Sequence, residues 1–505
     1  MSKRVPDKSI IIIGAGLAGL SAGCYAQMNG YRSHIFEHHA MPGGVAAAWR
    51  RGQYLIDGGI HFLMNHRPGS RNYQMYQELG AAQANRFLDL PTYGRFVDEA
   101  TGRSVEVTPD LNRLADDLKA VAPRDARIID ALIAGARAMQ RAGLADMDMG
   151  RPPELTTFLD RVGQMWRMRR ALKYFGGPYS QPVAEYVEGV GDPWLRTFIE
   201  NLFLPDVPVW FIFMLLALLA SGQMGLLEGG SLGFVLPIEK RYKDLGGQVT
   251  YNATVEEIVV EDDVAVGVRL ADGSEHRADV VISAADGYST IFGMLGGRYT
   301  DERIRVQYAK WPLARPGFMV SFGVARAFTD EPWLTMIHLA EPIAVGDQAV
   351  DVLALRTFNY SGAFAPPGKT VIQASFETEW DFWNELRADR AAYDREKERV
   401  AGEVLSRLER HYPELSSQVE VRDVATPYTT WRYTLNHNGA YIGWLATPEA
   451  IMTQIRRTLP GLRSFYMAGQ WVVPGGGVPP CLYSGRHAIE ILCRRDRRPF
   501  VTAVP

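Results

Sequence analysis

Cysteine is scarce: only Cys24, Cys481 and Cys493 occur in 505 residues. An odd number of cysteines, with no CxxC or metal-ligand spacing, argues against a disulfide framework or a zinc site and suits a reducing, cytoplasmic setting. Net charge is nearly absent as well, at −3. Without a basic field there is nothing to hold a polyanion, so nucleic acid is not an expected partner. Long apolar runs are missing. The longest, Val209–Ala220, has 12 residues, against about 20 for a membrane-spanning helix. It reads as a buried core helix, with a patch that dips into one leaflet through Val209-Trp210-Phe211-Ile212-Phe213 as the alternative. The first apolar run, Ile10 to Ile13, is too short for a signal-peptide core. Internal repeats and low-complexity tracts are absent too, and the length suits two or three structural lobes.

What the chain does have is a βαβ opening. Residues 8–13 read as a buried strand, 17–28 as a helix and 32–37 as a second strand. Between strand and helix lies Gly14-Ala15-Gly16-Leu17-Ala18-Gly19. Gly14 permits a tight turn, Gly16 lets the backbone approach a pyrophosphate, and Gly19 allows close helix–strand packing. Leu17 and Ala18 open the helix, whose free N–H groups and positive dipole end face the phosphates. Glu37 ends the second strand, 18 residues after Gly19. A carboxylate there accepts both ribose hydroxyls and repels a 2′-phosphate. Together these features specify a dinucleotide site.

Two further glycine turns, Pro42-Gly43-Gly44 and Asp57-Gly58-Gly59, sit just beyond this unit and suit a long, extended cofactor. They favour FAD over NAD, although each alone would be an ordinary turn. Residues 110–224 are mostly helical in pattern. Residues 248–283 change to short strands separated by Asp262-Asp263 and Ala271-Asp272-Gly273-Ser274, the pattern of a meander. Further strands are expected at 370–376 and 464–468, a charged helix at 387–412 and a final helix at 480–494. The fold class is α/β: a Rossmann-type FAD-binding domain interleaved with an α+β substrate domain made of a mixed sheet and a helical lobe. The expected division is 1–80, 225–300 and 445–505 for FAD, with 81–224 and 301–444 for substrate.

These motifs resemble the phytoene desaturase-like flavoproteins, which include carotenoid isomerases and retinol saturases, within the amine-oxidase-type FAD superfamily. The resemblance covers nearly the whole chain and is weakest in the middle helices. Beyond the glycine turns it is carried by Leu245-Gly246-Gly247-Gln248-Val249 with Val255, by Gly267 to Gly273, by Arg432 to Trp444, and by Met467-Ala468-Gly469-Gln470-Trp471-Val472-Val473-Pro474-Gly475-Gly476-Gly477-Val478-Pro479. It implies that Gly469, Gln470, Gly476 and Val478 run along the cofactor, and that Val255 meets the adenine side through its backbone. A helix start facing the flavin ring can stabilise the charge of its reduced form. Three positions depart from the family pattern. Val45 stands where Arg or Lys is common, Ala284 where Asn is usual, and Pro480 where Gly is frequent.

The implied activity is an FAD-dependent oxidation, reduction or isomerisation at C–C bonds of a lipophilic substrate such as a polyene or terpenoid. Amine or amino-acid oxidation on the same scaffold, and a non-catalytic flavin-binding redox sensor, are the alternatives. His61 is the polar candidate for catalysis, with a merely packed histidine as the other reading. Trp471 and Tyr483 are candidates to line the substrate channel. No second GxGxxG unit follows a strand, which disfavours an NADPH domain and leaves oxygen, a quinone or another carrier as electron acceptor. The basic tail Arg494-Arg495-Asp496-Arg497-Arg498 reads as a solvated helix end, or as a peripheral contact with anionic lipid.

Overall fold

The computed structural model describes residues 8–144, 149–169 and 171–505. Residues 1–7, 145–148 and 170, which belong to the expected N-terminal and middle spans, lie outside the described residues. A five-stranded parallel sheet takes its strands from three distant stretches, in the order Gln248–Thr250, Arg32–Phe36, Ser9–Ile13, Val280–Ser283, Phe465–Met467. Its central strands, SIIII and VVIS, are apolar on both faces because the sheet is covered on both. Ile10 and Ile12 pack under the helices Leu17–Met28 and Val478–Arg495. Ile11 and Ile13 point the other way, onto the meander Val255–Glu261, Val264–Leu270, Glu275–Arg277. The alternation of side chains along a strand divides the two layers. At the first meander turn Asp262 and Asp263 are left-handed, with φ 46° and 59°. A two-residue hairpin loop of this hand requires that conformation, and aspartate tolerates it.

The two flanking helices lie unusually close. A Cβ on Gly485 would stand 2.3 Å from the Ala18 carbonyl oxygen, and Ser21 Oγ donates to the Leu482 carbonyl at 2.7 Å. The chain's last helix is thereby fastened to its first.

A second sheet of seven strands runs Val419–Ala425, Gly317–Val324, Thr370–Glu377, Gln348–Thr357, Leu334–Val345, Gly94–Asp98, Ser104–Val107. It is antiparallel except where Leu334–Val345 meets Gly94–Asp98. Of these strands only the one near 370–376 was expected. One face carries Ile372 and Ala374 into a core with Val400, Val404 and Leu408 of the helix Arg390–His411. The other face carries Gln373, Ser375 and Glu377 to a cavity.

The middle stretch folds into a helical layer that includes Leu111–Val121, Ala126–Arg141, Pro193–Glu200 and Val209–Ala220. The structure supports the core-helix reading of Val209–Ala220, with Trp210 and Phe211 of the alternative patch half-buried on the cavity wall. Ile212, Phe213 and Leu215 to Leu219 are buried, and a Cβ on Gly135 would lie 2.5 Å from the Phe213 ring. The helix is apolar all round because protein encloses it. Among the described residues no helix is long and apolar enough to cross a membrane. The basic tail is tied inward: Asp496 pairs with Lys8 at 2.5 Å, Arg495 donates to the Tyr466 hydroxyl at 3.4 Å and Arg498 to the Asn29 carbonyl at 3.4 Å.

Candidate cofactor and substrate site

A cavity of about 1400 Å³ is lined by both sheets and by the helical layer. That exceeds the roughly 300–1,000 Å³ of one small-molecule site, so it has room for a cofactor and a second ligand. Its wall brings together Gly14, Gly16, Leu17 and Ala18, then Glu37, the Gly43–Gly44 and Gly58–Gly59 turns, Val255, and from the far end of the chain Gly469, Gln470, Gly476 and Val478.

The first glycine turn is built by the strand beside it. Gly14 adopts φ 95°, and its N–H donates to the Phe36 carbonyl at 2.8 Å. Gly43 N–H donates to the Ala15 carbonyl at 2.9 Å, which joins the second turn to the first. Gly16 has φ −68°, and a Cβ there would meet only the Gly43 oxygen at 3.9 Å. The protein's own packing does not require glycine at this position; its bareness serves whatever approaches from the cavity. Bare backbone together with the open helix start at Leu17 fits a pyrophosphate. Glu37 is buried beside the turn. Its Oε2 accepts from Ala15 N–H at 2.5 Å and its Oε1 from His39 N–H at 2.8 Å. Burial raises its pKa despite these two donors, and each oxygen keeps a lone pair for a ribose hydroxyl. These residues fit FAD.

Three expected site residues stand elsewhere. Gly19 is behind the wall, where a Cβ would lie 1.9 Å from the Gly14 carbonyl oxygen. Asp57 is buried under the Gly58–Gly59 turn. Its Oδ1 accepts from Gly59 N–H at 3.0 Å and Ser231 Oγ at 2.6 Å, and its Oδ2 from Ser231 N–H at 2.6 Å. It positions the turn instead of lining the cavity. Tyr483 is corrected likewise: it is buried in the core beneath the last helix, its ring centroid 5.6 Å from that of His487, and it is His487, one turn further on, that reaches the cavity wall. Trp471 does line the cavity and stacks parallel to Tyr308 at 6.1 Å.

His61 stands on the cavity wall with its side chain open to the cavity space, and the surrounding protein and the neighbouring Arg356 lower its pKa below the usual imidazole value. It is a neutral imidazole near pH 7. Arg356 and Gln373 escaped the sequence reading. Arg356 donates to Gln373 Oε1 at 3.1 Å, and Gln373 Nε2 donates to Ser321 Oγ and to the Asp57 carbonyl, both at 3.0 Å. This chain of bonds links the second sheet to the Gly58–Gly59 turn.

Glu377 was missed as well: the expected strand stopped at 376, one residue short of the i, i+2, i+4 series Gln373, Ser375 and Glu377 that signals one polar face. It lines the cavity, and burial pushes its carboxyl up to about 7 against the pull of Arg315. The unfolded chain releases this proton near 4.5, so stability falls as pH rises between those two values and is level outside them. Glu377→Gln should flatten that fall by on the order of 1–3 kcal/mol, allowing for solvent screening in the cavity. Melting temperatures of both proteins across this window check it, and parallel curves would sink it.

A parallel sheet that presents a glycine cradle, joined to a separate sheet that floors the adjoining space, is the architecture of an FAD-dependent oxidoreductase. The chain belongs to the flavin containing amine oxidoreductase family, whose model matches residues 17–491. It is 25% identical over 523 aligned positions to the chloroplastic prolycopene isomerase of Arabidopsis thaliana, covering 94% of this chain and 81% of that one. It is also 25% identical over 509 positions to the lycopene-forming phytoene desaturase of Pseudescherichia vulneris, covering 96% and 99%. Cyclohexylamine oxidase from Brevibacterium oxydans IH-35A has the same fold, with TM-score 0.59 at 15% identity over 98% of this chain and 100% of that one.

Proposed function

We propose that this flavoprotein desaturates, saturates or isomerises C–C bonds of a lipophilic polyene or terpenoid. The observation that carries the reading is the apolar extension of the cavity beyond the glycine cradle, walled by Phe203, Leu204, Trp210, Phe211, Met214 and Met336. Such walls bind hydrocarbon by burial, at roughly 25 cal/mol per Å², and keep water from the reacting carbons. The likeness to a prolycopene isomerase and a phytoene desaturase supports it. FAD supplies hydride-level redox chemistry at carbon that side chains do not offer.

The chain's own residues divide the remaining work. Gly14, Gly16, Leu17, Ala18, Glu37, Gly43, Gly44, Gly58, Gly59, Val255, Gly469, Gln470, Gly476 and Val478 hold the cofactor. Asp57 keeps the Gly58–Gly59 turn in place. Trp471 packs against the substrate. His61, uncharged, can accept a proton, and Glu377, half protonated near neutrality, can give one. Residues 1–80, 225–300 and 445–505 form the FAD domain, and 81–224 with 301–444 the substrate domain. In the desaturating direction oxygen, a quinone or another carrier takes the electrons, and a lipophilic substrate brings the protein into peripheral contact with a membrane.

Anaerobic titration of the holoprotein tests the reading. Polyenes should bleach the flavin, or change their geometric isomer when the flavin is pre-reduced. Peroxide release from amines with every polyene untouched would move the assignment to amine oxidation. Flavin that no candidate substrate reduces, reoxidises or needs for isomerisation would leave a redox sensor.

A further inference from the structure

We propose that the helix Phe158–Met168 docks the protein onto an anionic lipid bilayer at the mouth of the cavity. The helix start is locally secured: Thr157 N–H donates to Asp160 Oδ2 at 2.9 Å and Asp160 N–H donates to Thr157 Oγ1 at 3.3 Å, a capping box. What it presents to the outside is apolar. Phe158 is 78% exposed, Leu159 79%, Val162 45% and Trp166 65%. At about 100° per residue these four fall within one narrow arc. A surface helix of a globular protein turns such a stripe toward the core; this one turns it away.

Charge identifies what covers the stripe. Beside the stripe Arg169 and Lys173 are exposed cations, and residues 158–173 hold five basic residues against one acidic one in a protein whose net charge is −3. Arg169 lies over the Trp166 ring, 3.8 Å from its centroid, so a cation rims the apolar face. Bulky apolar side chains bordered by arginine and lysine are what an interfacial helix needs to sink into the headgroup layer. A second copy docking face to face would set this positive field against itself, whereas acidic headgroups neutralise it.

Position connects the face to the cavity. Pro153 and Thr156, just before the helix, line the cavity, and so does Met452, which is 74% exposed. The cavity therefore reaches the surface beside the apolar face, and a substrate leaving the acyl chains would enter without crossing water. The purpose of docking rests on the lipophilic-substrate reading; the docking itself is tested without any substrate.

The holoprotein is floated with vesicles of phosphatidylcholine containing roughly a third phosphatidylglycerol, and with vesicles of phosphatidylcholine alone. Wild type should float with the mixed vesicles, less with the neutral ones, and be shed by salt. The triple variant Phe158→Ser/Leu159→Ser/Trp166→Ser should bind at least about tenfold less at unchanged flavin content. Arg169→Glu should weaken binding about fivefold or more, on anionic vesicles only. Wild type that does not float, or a triple variant that floats equally, overturns the proposal. So does a wild-type dimer that the triple variant converts to monomer, which would assign the face to a second copy. Vesicle binding by a protein whose flavin no polyene bleaches or uses would keep the docking and remove the substrate reading.

Discussion

Gly19→Ala is expected to retain at least tenfold less FAD and to melt lower, whereas Gly16→Ala should lose FAD affinity with the flavin-free melting temperature unchanged. The two glycines are three positions apart and look equivalent in the motif, yet their surroundings differ. A methyl on Gly19 would stand 1.9 Å from the Gly14 carbonyl oxygen, 3.1 Å from its carbon and 3.4 Å from Ala284 Cβ. The first two are main-chain atoms of the phosphate turn and cannot swing aside as a side chain would. The helix must back away from the strand or the turn must move, and overpacking of this kind costs about 1–3 kcal/mol. Both routes displace the N–H groups at the helix start. A methyl on Gly16 meets only the Gly43 oxygen, at an ordinary 3.9 Å, and its φ of −68° suits alanine. The folded chain has no quarrel with it; a pyrophosphate would. Flavin content after dialysis and melting curves with and without added FAD separate the cases. Wild-type flavin content and melting in Gly19→Ala would refute the packing argument, and a fall in flavin-free stability with Gly16→Ala would refute the contrast.

Asp57→Ala should be the more damaging change to stability, by about 3–5 kcal/mol, with FAD retention falling alongside. The carboxylate accepts from Gly59 N–H, Ser231 N–H and Ser231 Oγ, and it is 1% exposed. Removing it leaves buried donors unpaired, at about 1–3 kcal/mol each before relaxation. Whole proteins hold only about 5–15 kcal/mol in reserve. The effect should reach the cofactor because Gly59 is wedged, with a hypothetical Cβ 2.6 Å from Ser231 Oγ and 2.8 Å from Ala46 Cα. Loss of the clamp frees the turn toward the cavity. Ser231→Ala, which removes one hydroxyl and keeps the carboxylate on two N–H groups, should cost clearly less. Denaturant unfolding of the three proteins, with flavin content measured on each, decides it. Equal stability of Asp57→Ala and Ser231→Ala would show that the carboxylate does not clamp the turn.

The cofactor half was largely legible because its demands are local. A tight turn, a bare approach to phosphate and an acid at the end of the next strand each need a particular residue at a particular spacing, so Gly14, Gly16, Gly19 and Glu37 announce themselves. Three strands of the cofactor sheet, Ser9–Ile13, Val280–Ser283 and Phe465–Met467, were legible for a related reason: a strand buried on both faces reads as an unbroken apolar run. Most of the second sheet was not. Its strands, such as Gly317–Val324 and Leu334–Val345, pair with partners far away in the chain, and their half-buried, glycine-containing patterns carry no sharp period. Asp57, part of a glycine-turn motif, and Tyr483, an aromatic near the C-terminal glycine turn, stand beside residues that line the cavity without lining it themselves. Side-chain direction decides such cases, and adjacency in sequence does not report it.

The sequence alone thus determined the dinucleotide site, through glycines whose necessity is steric and near at hand, while the part played by a turn some 450 residues further on was implied by the family resemblance. Only the tertiary structure decided which polar groups share the cavity. Arg356, Gln373 and Glu377 acquire their meaning from sheet register and from burial, which sets the protonation of Glu377. It also decided that one apolar helix, Val209–Ala220, lies inside, while another, Phe158–Met168, turns its apolar face outward. Amphipathicity records that a helix has an apolar face, and only the packing of everything else determines whether protein is left to cover it.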